Sequence, residues 1–139
     1  MSCIFCDIVA GKRESHVIYE DDYHIAFLDK YPIDKGHSLV VPKKHHERII
    51  DMDKSGVGNL FMQIPHIARA IMTATNADAF SIAQNNGRAA KQIIPHVHVH
   101  IIPRYNDTGT LWTKRSIPSS DELEALAQQI RACVVANSS

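Results

Sequence analysis

The chain is short of the features that would send it to a membrane, a nucleic acid or an oxidising compartment. It has three cysteines, an odd number, which gives no disulfide framework. Lys and Arg total 15, and Asp and Glu also total 15, so there is no excess of basic charge. No basic stripe or block is seen, which argues against affinity for long nucleic acid. No apolar run approaches spanning length, and the N-terminus shows no charged-then-apolar leader. A cytoplasmic protein without membrane attachment is expected. Internal repeats, low-complexity tracts and interdomain linkers are also missing. At 139 residues and 45% hydrophobic, the chain suits one domain with a proper core.

What the chain does have is histidine in a pattern. His96-Val97-His98-Val99-His100 is followed by Ile101-Ile102-Pro103-Arg104. Apolar residues at every second place, ending at a proline, predict a β-strand. Side chains alternate between the faces of a strand, so the three imidazoles share one face and the valines the other, toward a core. Three aligned imidazoles are costly in a core unless every nitrogen finds a partner. They suit metal binding, proton transfer or nucleophilic attack. Neighbouring imidazoles, about 7 Å apart along a strand, can meet different oxygens of one phosphate. A neutral imidazole is a good nucleophile near pH 7. The plain alternative is a buried or solvated triplet with no role.

Around this run the pattern predicts strands at 16–20, 23–28, 37–41 and 79–84, with a hairpin at Asp21-Asp22. Residues 29–36 form a loop. A long helix over 52–75 carries Leu60, Ile64, Ile67 and Ile71 on one face, with Pro65 inside it predicting a kink. A second helix over 119–135 begins at Ser119 and Glu122, which have capping-box spacing. Its apolar stripe is Leu123, Leu126, Ile130, Cys133 and Val134. Strands, helix, two strands and helix make an α+β domain with an antiparallel sheet.

Cys3 and Cys6 have the spacing of a zinc knuckle but lack a second pair. His45, after a Pro-Lys-Lys turn, and His96 could complete a closed Cys2His2 site, which would be structural. Two ordinary small residues remain the alternative on spacing alone. His16, His24 and His66 read as surface or edge residues.

The chain resembles the histidine triad (HIT) family of nucleotide hydrolases and transferases over about residues 3–105. The resemblance is carried by Cys3-Ile4-Phe5-Cys6-Asp7-Ile8, Ala26-Phe27-Leu28-Asp29, residues 36–45 (Gly36 to His45), Asn85-Asn86-Gly87 and residues 95–104. It implies a HIT-like half-barrel of five antiparallel strands with two main helices, a single domain over 1–139 with an extension and helix at 106–139, and a homodimer. It implies attack on the α-phosphorus of a nucleoside 5′-phosphoryl compound, such as an adenosine phosphoramidate. His98 would be the nucleophile and would form a transient nucleotidyl-imidazole. His100 would hydrogen-bond the phosphate or the departing group, and His37 would support the nucleophile. Asn85 and Gln92 match positions near the phosphate. Asp29 matches the carboxylate for the ribose hydroxyls, and Phe5, Ile8 and Phe27 match the apolar residues around the base of an AMP-like purine nucleotide. The resemblance also implies structural Zn2+ on Cys3, Cys6, His45 and His96. Dinucleoside polyphosphate hydrolysis is the alternative within enzymes, and a zinc-stabilised binding module is the alternative outside them. Two positions depart from the family pattern. Lys91 stands where a small residue is usual, and Ile93 stands where a hydroxyl is usual.

Overall fold

The computed structural model describes residues 3–114 and 117–137. Its strands are β1 (Val17–Glu20), β2 (His24–Leu28), β3 (Ser38–Pro42), β4 (Ala79–Ala83) and β5 (Val99–Arg104). Its helices are α1 (Ile4–Val9), α2 (Lys54–Met62), α3 (Ile64–Thr75) and α4 (Ser120–Asn137). The strands form one open antiparallel sheet in the order β1-β2-β3-β5-β4. This is the α+β fold with a five-stranded antiparallel sheet.

Alternation along the strands separates two cores. Ala26, Leu28, Val40, Val97, Val99 and Ile101 pack with Leu60, Ile67 and Ile71 and with Leu123, Leu126 and Ile130 of α4. Ile25, Phe27, Leu39 and Val41 point to the opposite face and pack with Phe5 of α1. Val97, Val99 and Ile101 are fully buried, and each contributes about 1.5–3 kcal/mol of transfer free energy. Because the valines face the helices, the imidazoles between them face α1.

The long helix expected over 52–75 breaks at Gln63, which ends α2 and opens α3. Pro65 lies in the first turn of α3, where its missing N–H would be unpaired in any case. The expected kink is therefore a restart of the helix two residues upstream of the proline. α4 begins as its spacing predicts. The Glu122 amide donates to Ser119 Oγ at 3.1 Å, and the Ser119 amide donates to Glu122 Oε1 at 3.3 Å.

The strand expected from His96 pairs only from Val99, opposite Val40. Before that point the chain bends at His96, whose amide donates to the Ile94 carbonyl, and the Val97 amide donates to the His46 carbonyl rather than to a strand. His24 is buried rather than superficial, because Asp21 accepts from both its amide and its ring. Gly36 sits at φ +92°, where a Cβ would lie 2.8 Å from Thr75 Cγ2, so the 29–36 loop closes tightly against α3. No helix among the described residues is long and apolar enough to cross a membrane.

Candidate active site and metal corner

Cys3 caps the N-terminus of α1, and its Sγ accepts from the Cys6 amide at 3.4 Å. One turn of helix then carries Phe5 edge-on to the rings of His96 and His98, with centroids 5.8 and 5.1 Å away. The cysteine pair therefore anchors the segment that walls the imidazole face of the sheet.

The His96 Nε2–H donates to the Pro42 carbonyl at 2.8 Å. A carbonyl only accepts, so the proton is on Nε2 and Nδ1 is a bare lone pair. That lone pair faces Cys3 Sγ at 3.4 Å, Cys6 Sγ at 3.5 Å and His45 Nδ1 at 3.1 Å. Cys6 Sγ is 3.3 Å from His45 Nδ1. Ligands of one tetrahedral Zn2+, at about 2.3 Å for sulfur and 2.0–2.1 Å for nitrogen, lie roughly 3.3–3.8 Å from one another. The four donors all lie within 4.8 Å of one another, with His45 and His96 slightly closer than such ligands usually stand, so the set fits a single cation. Burial and then the neighbouring Cys3 push the Cys6 thiol up to about 11. Two adjacent thiolates are thus unfavourable here unless a cation neutralises them.

The next two histidines are arranged differently. The His98 Nδ1–H donates to the His96 carbonyl at 2.7 Å, which leaves Nε2 with the free lone pair. The Ile33 amide donates to His37 Nδ1 at 3.0 Å, so His37 carries its proton on Nε2. That proton is donated to His100 Nδ1 at 2.9 Å. His100 is left with an Nε2–H donor, and its ring centroid is 4.9 Å from that of His98. The 29–36 loop thus fixes a proton order running from Ile33 through His37 to His100.

Asp29 Oδ2 lies 3.7 Å from His37 Nε2, and Oδ1 accepts from the Tyr31 amide at 2.8 Å. Asp29, His37 and His100 bring possible ligand atoms within 4.8 Å of one another. They do not make a second cation site, because the Ile33 amide keeps His37 Nε2 protonated. Burial is the main cause of every shift in the group. It lowers His37 to about 3, helped by the positive forms of His100, Arg104 and His98. It lowers His100 to about 4 and lowers His98. All three are neutral at pH 7. Burial also raises the Asp29 carboxyl, against the opposing pull of the Tyr31 amide and Lys114.

The remaining sequence-derived candidates divide. Phe5 and Phe27 are buried in edge contact at 5.4 Å, with Ile8 packed against their cluster. β4 pairs Ala83 with His100, so continuing that register brings Asn85 level with His98. The Asn85 carbonyl accepts from Gln84 Nε2 at 3.3 Å. Gln92 is buried with both ends of its amide on backbone, donating to the Glu47 carbonyl and accepting from the Gly87 amide, each at 2.6 Å. Its side chain ties the 86–95 loop to the 44–52 loop.

A profile for the HIT domain matches residues 10–107. The chain belongs to the HIT family. It is 39% identical to the adenylylsulfatase HINT3 of Arabidopsis thaliana over 95% of this chain and 67% of that one. It is 36% identical to the adenosine 5′-monophosphoramidase hnt1 of Schizosaccharomyces pombe, covering 94% of this chain and 96% of the other. The crystal structure of a Zn-bound histidine triad family protein from Mycobacterium smegmatis superposes with a TM-score of 0.89 and 34% identity. That match covers 99% of this chain and 96% of its counterpart.

Within this HIT fold, three participants carry no sequence signal, because they are backbone groups: the Ile33 amide and the His96 and Pro42 carbonyls. A fourth, Arg104, is a buried side chain. It bonds Asp34 Oδ2 at 3.3 Å and Ser81 Oγ at 3.1 Å, donates to the Leu111 carbonyl, and stacks on Trp112 at 4.6 Å. It fastens the loop that bears His37. The proline before it, ending an apolar strand, gave no hint of burial.

Proposed function

We propose that this HIT protein is a nucleotide hydrolase that attacks the α-phosphorus of an adenylated compound through His98. The observation that carries this reading is the His98 Nδ1–His96 carbonyl bond, which leaves Nε2 unprotonated and nucleophilic at pH 7. In the first step Nε2 bonds to phosphorus as the bond from phosphorus to the leaving group breaks. Water then cleaves the nucleotidyl-imidazole and releases AMP. The His100 Nε2–H donates to a phosphoryl oxygen or to the departing atom, where negative charge develops. His37 acts on His100 rather than on the nucleophile. Asp29 receives the ribose hydroxyls, and Phe5, Ile8 and Phe27 enclose the base. Asn85 faces the phosphate, and Gln92 serves it by shaping the loop. The relatives named for adenylyl sulfate and adenosine monophosphoramidate support an adenylated substrate.

Cys3, Cys6, His45 and His96 would hold Zn2+, as the Zn-bound relative supports. Bound there, the ion supplies a crosslink between α1 and the sheet and takes no part in the chemistry, since all four of its positions are filled by protein. A non-catalytic metal module would draw His98 and His100 into this shell. Among the described residues neither joins that cluster. The packing of α4 on α3 and β1 supports one domain over the chain. The edge strand β4 exposes Phe80 and Ile82, which supports a homodimer. Free cysteines at 3, 6 and 133 support a reducing, cytoplasmic setting.

The test is AMP release from an adenosine phosphoramidate and from diadenosine triphosphate, side by side, for wild type and His98→Ala. Turnover that disappears in the variant is expected. Undiminished turnover in His98→Ala contradicts the covalent mechanism.

A further inference from the structure

The loop between β4 and the first triad histidine holds a strained lysine. Lys91 has φ +67° and ψ 30°, a left-handed conformation that glycine adopts freely and a lysine adopts at a cost. The substitution has not opened the loop. The Lys91 amide donates to the Arg88 carbonyl at 2.9 Å, the Gln92 amide donates to the Gly87 carbonyl at 3.1 Å, and Gln92 clamps both loops. The chain thus keeps a glycine's backbone while carrying an exposed ammonium. Backbone strain of this kind clusters at functional sites, which directs attention to what the Lys91 ammonium could meet.

Two more cations share the place. Arg88 is exposed one turn earlier in the same loop. The Arg48 guanidinium lies on Gly87, so a Cβ there would meet its Nη2 at 3.2 Å. Gly87 has φ +91°, which both admits the turn and lets the guanidinium approach. The Asn86 side chain fixes the two loops together by accepting from the Ile49 amide at 2.7 Å. Among the described residues, Arg48, Arg88 and Lys91 form no ion pair. The loop they occupy runs from Asn85 to His96, and since β4 pairs Ala83 with His100, continuing that register starts the loop level with His98, where the proposed attack takes place.

We infer that Lys91, with Arg48 and Arg88, selects adenylated mixed anhydrides whose leaving group departs as a multiply charged anion. The inference rests on the hydrolase reading above and narrows its substrate class. When a sulfate leaves, the phosphorus–oxygen bond breaks, its electron pair stays on the sulfate oxygen, and no proton is needed. When ammonia leaves, the phosphorus–nitrogen bond breaks and the nitrogen must gain a proton. Ile93 is 81% exposed and offers no hydroxyl to assist that transfer. A site with added cations and no added hydroxyl favours the first kind of departure.

Adenosine 5′-phosphosulfate and adenosine 5′-phosphoramidate are the probes. kcat/KM for each is measured for wild type, Lys91→Gly and the double variant Arg48→Gln/Arg88→Gln, at low and high salt. Wild type is expected to favour the phosphosulfate. Lys91→Gly should lower the phosphosulfate-to-phosphoramidate ratio about fivefold, mainly through the phosphosulfate, and salt should narrow the gap. Its melting temperature should equal or exceed that of wild type, because glycine relieves the strained φ. A ratio that is unchanged, or both substrates falling together, overturns the selection while leaving the hydrolase reading in place. Turnover of neither probe by wild type overturns both.

Discussion

Two corners of one sheet face use the same imidazoles in opposite ways. At the cysteine corner, His45 Nδ1 and the bare Nδ1 of His96 meet at 3.1 Å beside two sulfurs, four donors placed to share one cation. At the His37–His100 corner, lone pair and proton alternate from Ile33 through His37 to His100, an arrangement that needs nothing added. The difference comes from backbone groups. The Pro42 carbonyl holds the proton of His96 on Nε2, and the His96 carbonyl holds that of His98 on Nδ1. Two residues along the chain, the exposed nitrogen changes and so does the work it can do.

The sharpest way to break the comparison is at His98, the proposed nucleophile. His98→Ala should lower kcat by about 10³-fold or more, while nucleotide affinity measured by calorimetry stays within a few-fold. Removing the metal corner should act on the fold first. Cys3→Ser should lose bound zinc and lower the melting temperature by roughly 10 °C. Because α1 carries Phe5 against His98, KM should rise more than kcat falls. If Cys3→Ser instead matches His98→Ala in kcat, the division of labour between the corners is wrong.

Smaller effects test the proton order. His37→Phe removes the donor to His100 and should cost about tenfold in kcat/KM. Losing that donor should also raise the His100 pKa, moving the acid limb of the pH profile toward neutrality. His37→Gln keeps an N–H in reach and should restore part of both. The least effect is on stability against pH. His37, His98 and His100 titrate lower in the folded protein than at the ordinary histidine value near 6.5. The unfolded chain therefore binds more protons below that value, so stability from these groups is intact above about pH 7 and falls as pH drops toward 4 and then 3. Urea midpoints should decline over that window, and more gently in His37→Gln.

Side-chain patterns made much of this legible before any coordinates. Period-two alternation put Val97, Val99 and Ile101 in one core and the imidazoles opposite. Ser119 and Glu122 announced the start of α4, and Pro65 announced a kink where the helix in fact ends and restarts at Gln63. Cysteine spacing with His45 and His96 anticipated four donors that the fold does bring together. What stayed hidden belongs to the backbone or to partners far along the chain. Nothing in the residue at 33 signals that its amide orients His37. Asp21 stands only three residues before His24, but neither its turn back to that ring nor the turn of Gln92 to Glu47 and Gly87 is written in a residue pattern. The resemblance gave His37 a supporting role near the triad, and the triad ring it bonds is that of His100.

Long-range 1H–15N correlation spectra of the zinc-bound protein at pH 7 test the central claim most directly. They read which nitrogen of each histidine carries the proton. The account predicts Nδ1–H for His98 and Nε2–H for His37, His96 and His100. An Nε2–H tautomer at His98 would contradict it, because the nitrogen assigned to attack would have no lone pair to give.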